Sequence, residues 1–132
     1  MGWFLEWSER NSRVVWSATA LYMLLIFLIS SVPSPPQPLP LKGYAPIIEH
    51  MFEFGVLGFL LYTSFKINKN TRRNAFILAV SVAILYGISD EIHQAFVPGR
   101  VSDLVDVLAD SIGAIVAITI VDSRMKIKKS LG

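Results

Sequence analysis

The sequence predicts an all-α protein: a four-helix transmembrane bundle with both termini cytoplasmic and a short interfacial segment ahead of the first span. Three observations carry this reading. First, the 132 residues are 53% hydrophobic and only 17% charged, whereas soluble domains average about 25% charged. Second, four stretches match the roughly 20 apolar helical residues needed to cross a hydrocarbon core about 30 Å thick. Third, the strict alternation of a membrane β-barrel strand is absent. So much apolar surface also excludes a disordered chain. The lack of cysteine excludes a disulfide framework, a thiolate metal site and a cysteine nucleophile. The length fits a single domain over residues 1–132.

Residues 1–13 set Trp3, Phe4, Leu5 and Trp7 among charges, a pattern suited to the membrane surface, with Trp16 a further interface anchor. The first span, 14–32, has no charged residue and so no polar face to offer water. The stretch 30–34 makes a poor signal-cleavage site, which identifies the span as retained. Six of the seven prolines follow (Pro33, Pro35, Pro36, Pro38, Pro40, Pro46), predicting a stiff polyproline-like spacer. The second span, 47–65, is polar only at Glu49, His50 and Glu53 near its start, and a short basic loop, 66–74, follows. The third span, 75–92, stays apolar until Asp90 and Glu91. A tight turn at 97–100 then leads to Ser102 as the expected N-cap of the fourth helix. That last span, 101–121, is interrupted by Asp103, Asp106 and Asp110.

Lysine and arginine are retained on the cytoplasmic side of a membrane. With both termini inside, ten of the twelve are cytoplasmic, leaving Lys42 and Arg100 outside. The expected location is the bacterial cytoplasmic membrane, crossed several times. Basic segments flanking spans follow this rule or touch anionic lipid rather than nucleic acid, for which no motif is present. The orientation gathers seven of the ten acids and both histidines at the outer end. At 1.5 Å per residue from boundaries at Ile47 and Val101, Glu53 lies about 9 Å deep, Asp106 about 8 Å and Asp110 about 14 Å. An ionised carboxylate at the bilayer centre costs roughly 2.5 to 3.5 kcal/mol. These acids must therefore face one another, Arg100, a histidine, water or a bound cation.

Helical spacing permits that convergence. Asp103, Asp106 and Asp110 fall within about 60° on one helix, and Gly113 and Ala117 continue the stripe. Tyr86, Asp90, His93 and Gln94 share a face with Ala83 and Gly87. His50 and Glu53 lie above Gly55 and Gly58, small residues that allow a neighbouring helix close.

Three pieces of the chain carry a resemblance. They are 50–58 (His50, Glu53, Gly55, Gly58), 90–100 (Asp90, Glu91, Gln94, then Pro98-Gly99-Arg100) and 103–113 (Asp103, Asp106, Asp110, Gly113). Together with the first span they make the sequence similar to the VanZ-like membrane proteins over nearly its whole length. The order DE-x-x-Q, P-G-R, D-x-x-x-D is the specific part. The resemblance implies an integral protein of the bacterial envelope and lowered susceptibility to teicoplanin, without implying a reaction mechanism. It implies His50, Glu53, Asp90, Glu91, Gln94, Arg100, Asp106 and Asp110 as site residues. Two departures stand out: Asp110 replaces the asparagine usual in the family, and the lysine often found just before the family histidine is absent, since Ala45-Pro46-Ile47-Ile48-Glu49 precedes His50. No role of that lysine transfers.

Three functional readings follow. In the first, an outer-leaflet polar pocket binds or modifies an envelope lipid or peptidoglycan precursor. Arg100 would hold a phosphate or carboxylate through its planar fork, with Gln94, Asp103, Asp110 and Tyr86 completing the binding set. His50, Glu53, Asp90, Glu91 and Asp106 are the candidates for acid–base chemistry. A divalent cation held by the acids and His50 is a possible cofactor, although the spacing matches no H-E-x-x-H motif. In the second, the charges only fix helix packing, with Arg100 closing on Asp90 or Asp106. In the third, the acid stripe conducts protons or cations, against which the inner halves of the spans offer only Tyr62. At single residues the plainer expectations are packing for Tyr62 and Tyr86, solvation for His93 and helix or cap roles for Ser89 and Ser102.

Overall fold

The computed structural model of the protein describes residues 2–33 and 45–130. The heart of the proline-rich spacer, Pro35 to Pro40, and Lys42 lie outside the described residues. The elements are α1 (Gly2–Arg10), α2 (Ser12–Ser30), α3 (Ala45–Ile67), a 3-10 turn (Arg72–Asn74), α4 (Ala75–Gln94) and α5 (Leu104–Ser130). The described residues contain no strand. Pro46 sits in the first turn of α3, where a missing amide hydrogen removes no helical bond.

Among the described residues, three helical stretches are long and apolar enough to cross a membrane: Ser12–Ser30, Arg72–Gln94 and Leu104–Met125. Their outward faces are lined by bare aliphatic and aromatic side chains. Leu21, Leu24 and Leu28 of α2, Ile77 and Leu85 of α4, and Leu108, Ile112 and Ile120 of α5 are all exposed. A surface this apolar needs a hydrocarbon partner rather than water.

α3 is the axis of the molecule, touching every other helix and packing most extensively on α5. Its inward residues Phe54, Leu57, Leu61 and Tyr62 are fully enclosed. They meet Ile26 of α2, the alanine ridge Ala75, Ala79 and Ala83 of α4, and Ala114 and Ile118 of α5. Small residues set the α3–α5 distance. A Cβ on Gly113 would overlap the backbone of Met51, and one on Gly58 would lie 2.9 Å from the Ala114 carbonyl oxygen. Without a hydrophobic drive between helices in lipid, this backbone approach and scattered polar links do the joining. Thr19 and Ser64 share a buried hydrogen bond of 2.9 Å between α2 and α3. The Tyr22 hydroxyl donates to the Glu53 carbonyl at 3.1 Å.

The end of the bundle that carries the 66–74 loop is tied by charge. Arg72 meets Glu9 of α1 at 2.6 Å, and Phe4 stacks on Phe59 with ring centres 5.9 Å apart. The segment before α2 therefore lies beside the basic loop, and it is helical.

Two expectations are corrected at the opposite end. α5 begins at Leu104, not at residue 101, so Asp110 lies only about 9 Å along it by the helical rise. The helix is capped by Asp103 rather than Ser102: Asp103 Oδ1 accepts the Val105 amide at 2.9 Å. A carboxylate accepts this bond better than a hydroxyl and also suits the positive end of the helix dipole. The turn before it is as expected. The Arg100 amide donates to the Val97 carbonyl at 3.1 Å, and Gly99 takes φ 78°, open to glycine but strained for other residues.

Gly113→Leu is expected to force α3 from α5 and to destabilise the fold by about 3 kcal/mol or more, the upper range for overpacking. Ile77→Leu on the outward face is expected to be nearly neutral. Unfolding midpoints of the two purified variants in detergent measure the difference.

Candidate functional site

The polar cluster stands where the ends of α3, α4 and α5 meet, opposite the basic loop. Each helix supplies its part through simple register. On α3, His50 lies one turn before Phe54, so the core-facing stripe ends in an imidazole. On α4 the alanine ridge continues through Gly87 to the buried Asp90, Glu91 and Gln94. On α5, Asp106 and Asp110 precede Gly113 and Ala114 on the stripe that faces α3.

The centre is a histidine–carboxylate pair. His50 Nδ1 lies 2.9 Å from Asp110 Oδ1, and His50 Nε2 lies 4.0 Å from Asp106 Oδ2. Asp110 is 1% exposed, and its second oxygen, Oδ2, has no hydrogen-bond partner. Glu91 is equally enclosed and holds the loop down: its Oε2 accepts the Asp103 amide at 2.9 Å. Gln94 spans the two acids of its own helix, donating to Asp90 Oδ2 at 2.8 Å and to Glu91 Oε1 at 3.2 Å. His50, Glu91 and Asp110 each offer one possible ligand atom, all within 4.8 Å of one another.

Arg100 takes an unexpected role. Rather than closing on Asp90 or Asp106, its Nη2 donates to the Ile29 carbonyl at 2.8 Å and its Nε to the Val32 carbonyl at 3.2 Å. The last carbonyls of a helix lack intrahelical donors and carry its negative pole, so a guanidinium fork is a natural C-terminal clamp there. His93 joins the same joint rather than being only solvated. Its Nε2 lies 2.9 Å from Ser31 Oγ, and its ring packs on Phe27 with centroids 4.5 Å apart.

The expected site residues therefore divide. His50, Glu91, Asp106 and Asp110 come together, with Asp90 and Gln94 bridged beside them and Asp103 joined through its backbone. Glu53 is half-buried one turn below His50, and its side chain makes no hydrogen bond among the described residues. Tyr86 turns to α2, its hydroxyl donating to the Met23 carbonyl at 2.5 Å. Ser89 bonds back to the Tyr86 carbonyl at 2.7 Å, a helix role. Beside the cluster, an apolar groove of about 530 Å³ follows the α3–α5 seam. It starts at Ile48, Met51 and Gly113, next to His50 in sequence and one turn from Asp110, and continues to Phe59 and Ile120.

Sequence reasoning missed a second polar joint at the other end. The Tyr62 hydroxyl donates to buried Asp122 Oδ1 at 2.6 Å, and Lys66 Nζ lies 3.9 Å from the same oxygen. Tyr62 and Lys66 are one turn apart on α3, a spacing that would have pointed to a shared partner. It also missed the α2 carbonyls as the partner of Arg100, because backbone acceptors leave no mark in a sequence.

His50→Ala strands Asp110 in an enclosed site, so a loss of stability of about 3 to 5 kcal/mol is expected. His50→Ala combined with Asp110→Ala is expected to recover part of that loss, a coupling read by a double-mutant cycle of unfolding free energies. Arg100→Gln is expected to free the end of α2, seen as faster amide hydrogen exchange at residues 29–32 with the His50 cluster unchanged.

A family model described as VanZ/LLP1 matches residues 1–125 of this chain. No curated protein and no solved structure matches it.

Proposed function

The chain belongs to the VanZ/LLP1 family, and from that membership and the geometry of its polar cluster we propose that it is an envelope-lipid-binding protein of the bacterial cytoplasmic membrane. In this reading α2 to α5 form a four-helix transmembrane bundle with both termini cytoplasmic. The basic loop and α1 then lie inside, and the His50 cluster lies in the outer leaflet. The pocket takes an amphiphilic envelope precursor, a lipid carrying a phosphate or glycan head, and binding or modification of it lowers susceptibility to teicoplanin.

The observation that carries this reading is the adjacency of two unlike surfaces on one helix seam. The groove lined by Ile48, Phe52, Gly55, Val116 and Ile120 suits an acyl chain. The His50, Asp106 and Asp110 group at its upper end supplies donors and acceptors for a polar head. Buried ionisable residues within spans mark ligand or ion paths by default, because mere packing is achieved more cheaply with apolar groups. His50 and Asp106 are partly open, with side chains 19% and 22% exposed, so a ligand can reach them. Glu91 and Asp110 hold the site from behind. Arg100 offers an anionic head its remaining guanidinium nitrogen while its other two hold α2.

A second reading, in which the charges only fix packing, is favoured by one observation. Gln94 and Asp103 both bond Glu91, linking α4 to the start of α5 with no ligand needed. The two readings separate on folded variants. Expression of the chain in a susceptible Gram-positive host is expected to raise the inhibitory concentration of teicoplanin. Asp106→Asn is expected to return that concentration to the vector-only value while membrane abundance and the unfolding midpoint stay at wild type. Abundance falling in step with phenotype would favour the packing reading. Unchanged phenotype with normal abundance would overturn the pocket. Transport along the acid stripe predicts ion flux into liposomes that Asp110→Asn abolishes.

A further inference from the structure

We infer that His50, Glu91 and Asp110 form a binding site for a divalent transition-metal ion, of the Zn2+ or Mn2+ class, at the junction of α3, α4 and α5. The inference names a cofactor for the pocket proposed above and rests on that reading only for which pocket it concerns.

The first support is geometric. One ligand comes from each of three helices, and the three candidate atoms lie within 4.8 Å of one another. Two tetrahedral donors on a single Zn2+ at 2.0 to 2.2 Å stand about 3.4 Å apart, so side-chain rotations that draw the atoms together by roughly an ångström close the set. All three residues are held by packed helices rather than loops, which is what a preorganised ion site requires.

The second support is the unpartnered oxygen. Asp110 is 99% enclosed, yet its Oδ2 has no hydrogen-bond donor among the described residues. That oxygen faces α4 at Gly87, where a Cβ would come within 3.1 Å of it. The glycine lets α4 pack directly against Oδ2, one helical turn from Glu91 on the same helix face. Buried polar atoms are satisfied in nearly every native structure, and an exception calls for an ion, a water or a function.

Charge points the same way. Asp90, Glu91, Asp106 and Asp110 converge here around the single imidazole of His50, which lies within reach of Asp106 and Asp110. Arg100 is turned to the carbonyls of α2. Ligand type then selects the ion. An imidazole with carboxylates suits Zn2+ or Mn2+, whereas Mg2+ and Ca2+ favour all-oxygen shells. Asp106, 4.0 Å from His50 Nε2, stands ready as a fourth ligand, a third carboxylate, or as the holder of a bound water.

The test uses the full chain in lipid nanodiscs, stripped with EDTA and titrated with Zn2+ and then Mn2+ by calorimetry. One ion per chain is expected, together with a rise in unfolding temperature that EDTA reverses. Glu91→Gln and Asp110→Asn are each expected to weaken binding about tenfold or more, while Ser89→Ala binds as wild type. Co2+-loaded wild type is expected to show imidazole nitrogen in its X-ray absorption spectrum, which decides the matter even where a variant fails to fold. Folded wild type that binds neither ion, variants that bind like wild type, or an all-oxygen Co2+ shell would each overturn the inference. A teicoplanin phenotype that persists with no ion bound would sink the metal and leave the lipid pocket standing.

Discussion

The contact on which the polar end of this protein depends is the one between His50 and Asp110. A carboxylate enclosed beside Phe54 and Gly87 is stripped of solvating water, a cost that must be met by a bonded partner. Among the described residues that partner is the imidazole, at 2.9 Å. Everything around the pair makes that meeting possible. His50 must stand at the top of α3's inward stripe, and Asp110 must stand on the α5 face that α3 covers. The two backbones must also run close enough for two short side chains to touch.

That last condition is met by residues with almost no side chain. Gly58 and Gly113 let the α3 and α5 backbones approach to contact, and the alanine ridge of α4 does the same on the third side. Close approach and buried charge therefore explain each other. Larger residues at these positions would widen the seam, and the histidine would lose its carboxylate. Conversely, a seam without polar groups would have only van der Waals packing to fix helix rotation in a lipid solvent. Thr19 with Ser64, and Tyr62 with Asp122, serve as further rotational locks along the same axis.

Much of this was legible in the sequence, and the parts that were not share a cause. Apolar runs gave helices at nearly the right places, and 100° periodicity put Asp106 and Asp110 on one stripe of α5 and Asp90, Gln94 and Gly87 on one face of α4. Those are properties of a single helix. The start of α5 at Leu104 was misplaced because hydropathy reads Val101 as membrane while the backbone there is still set by the turn at Gly99 and the amide of Asp103. Arg100 was paired with acids because charge in a sequence suggests charge, yet the strongest unpaired acceptors in reach were main-chain carbonyls. His93, in the same way, found Ser31 and Phe27 of a helix more than sixty residues away. Contacts between helices depend on rotation about each axis, which no single-helix pattern records.

The consequence for the cluster is that its one large cation is spent on architecture. With its fork on Ile29 and Val32, Arg100 joins α2 to the loop between α4 and α5, and Glu91 ties that loop to α4 through Asp103. The loop is thus fixed at both ends, and the acids beneath it are left with His50 as their near polar partner. A set of helices that wanted only mutual attraction would have turned Arg100 inward, where a guanidinium between Asp90 and Asp106 satisfies both. Turning it outward leaves a partly open group of carboxylates beside an apolar groove, which in the reading proposed above would gain stability when something positive enters it. A cation alone meets that need, and so does a cation bridging the recess to an anionic head whose chain lies along Phe52 and Val116. The two occupants need not compete: the ion would reverse the sign of the recess and make room for a phosphate where carboxylates alone would repel it.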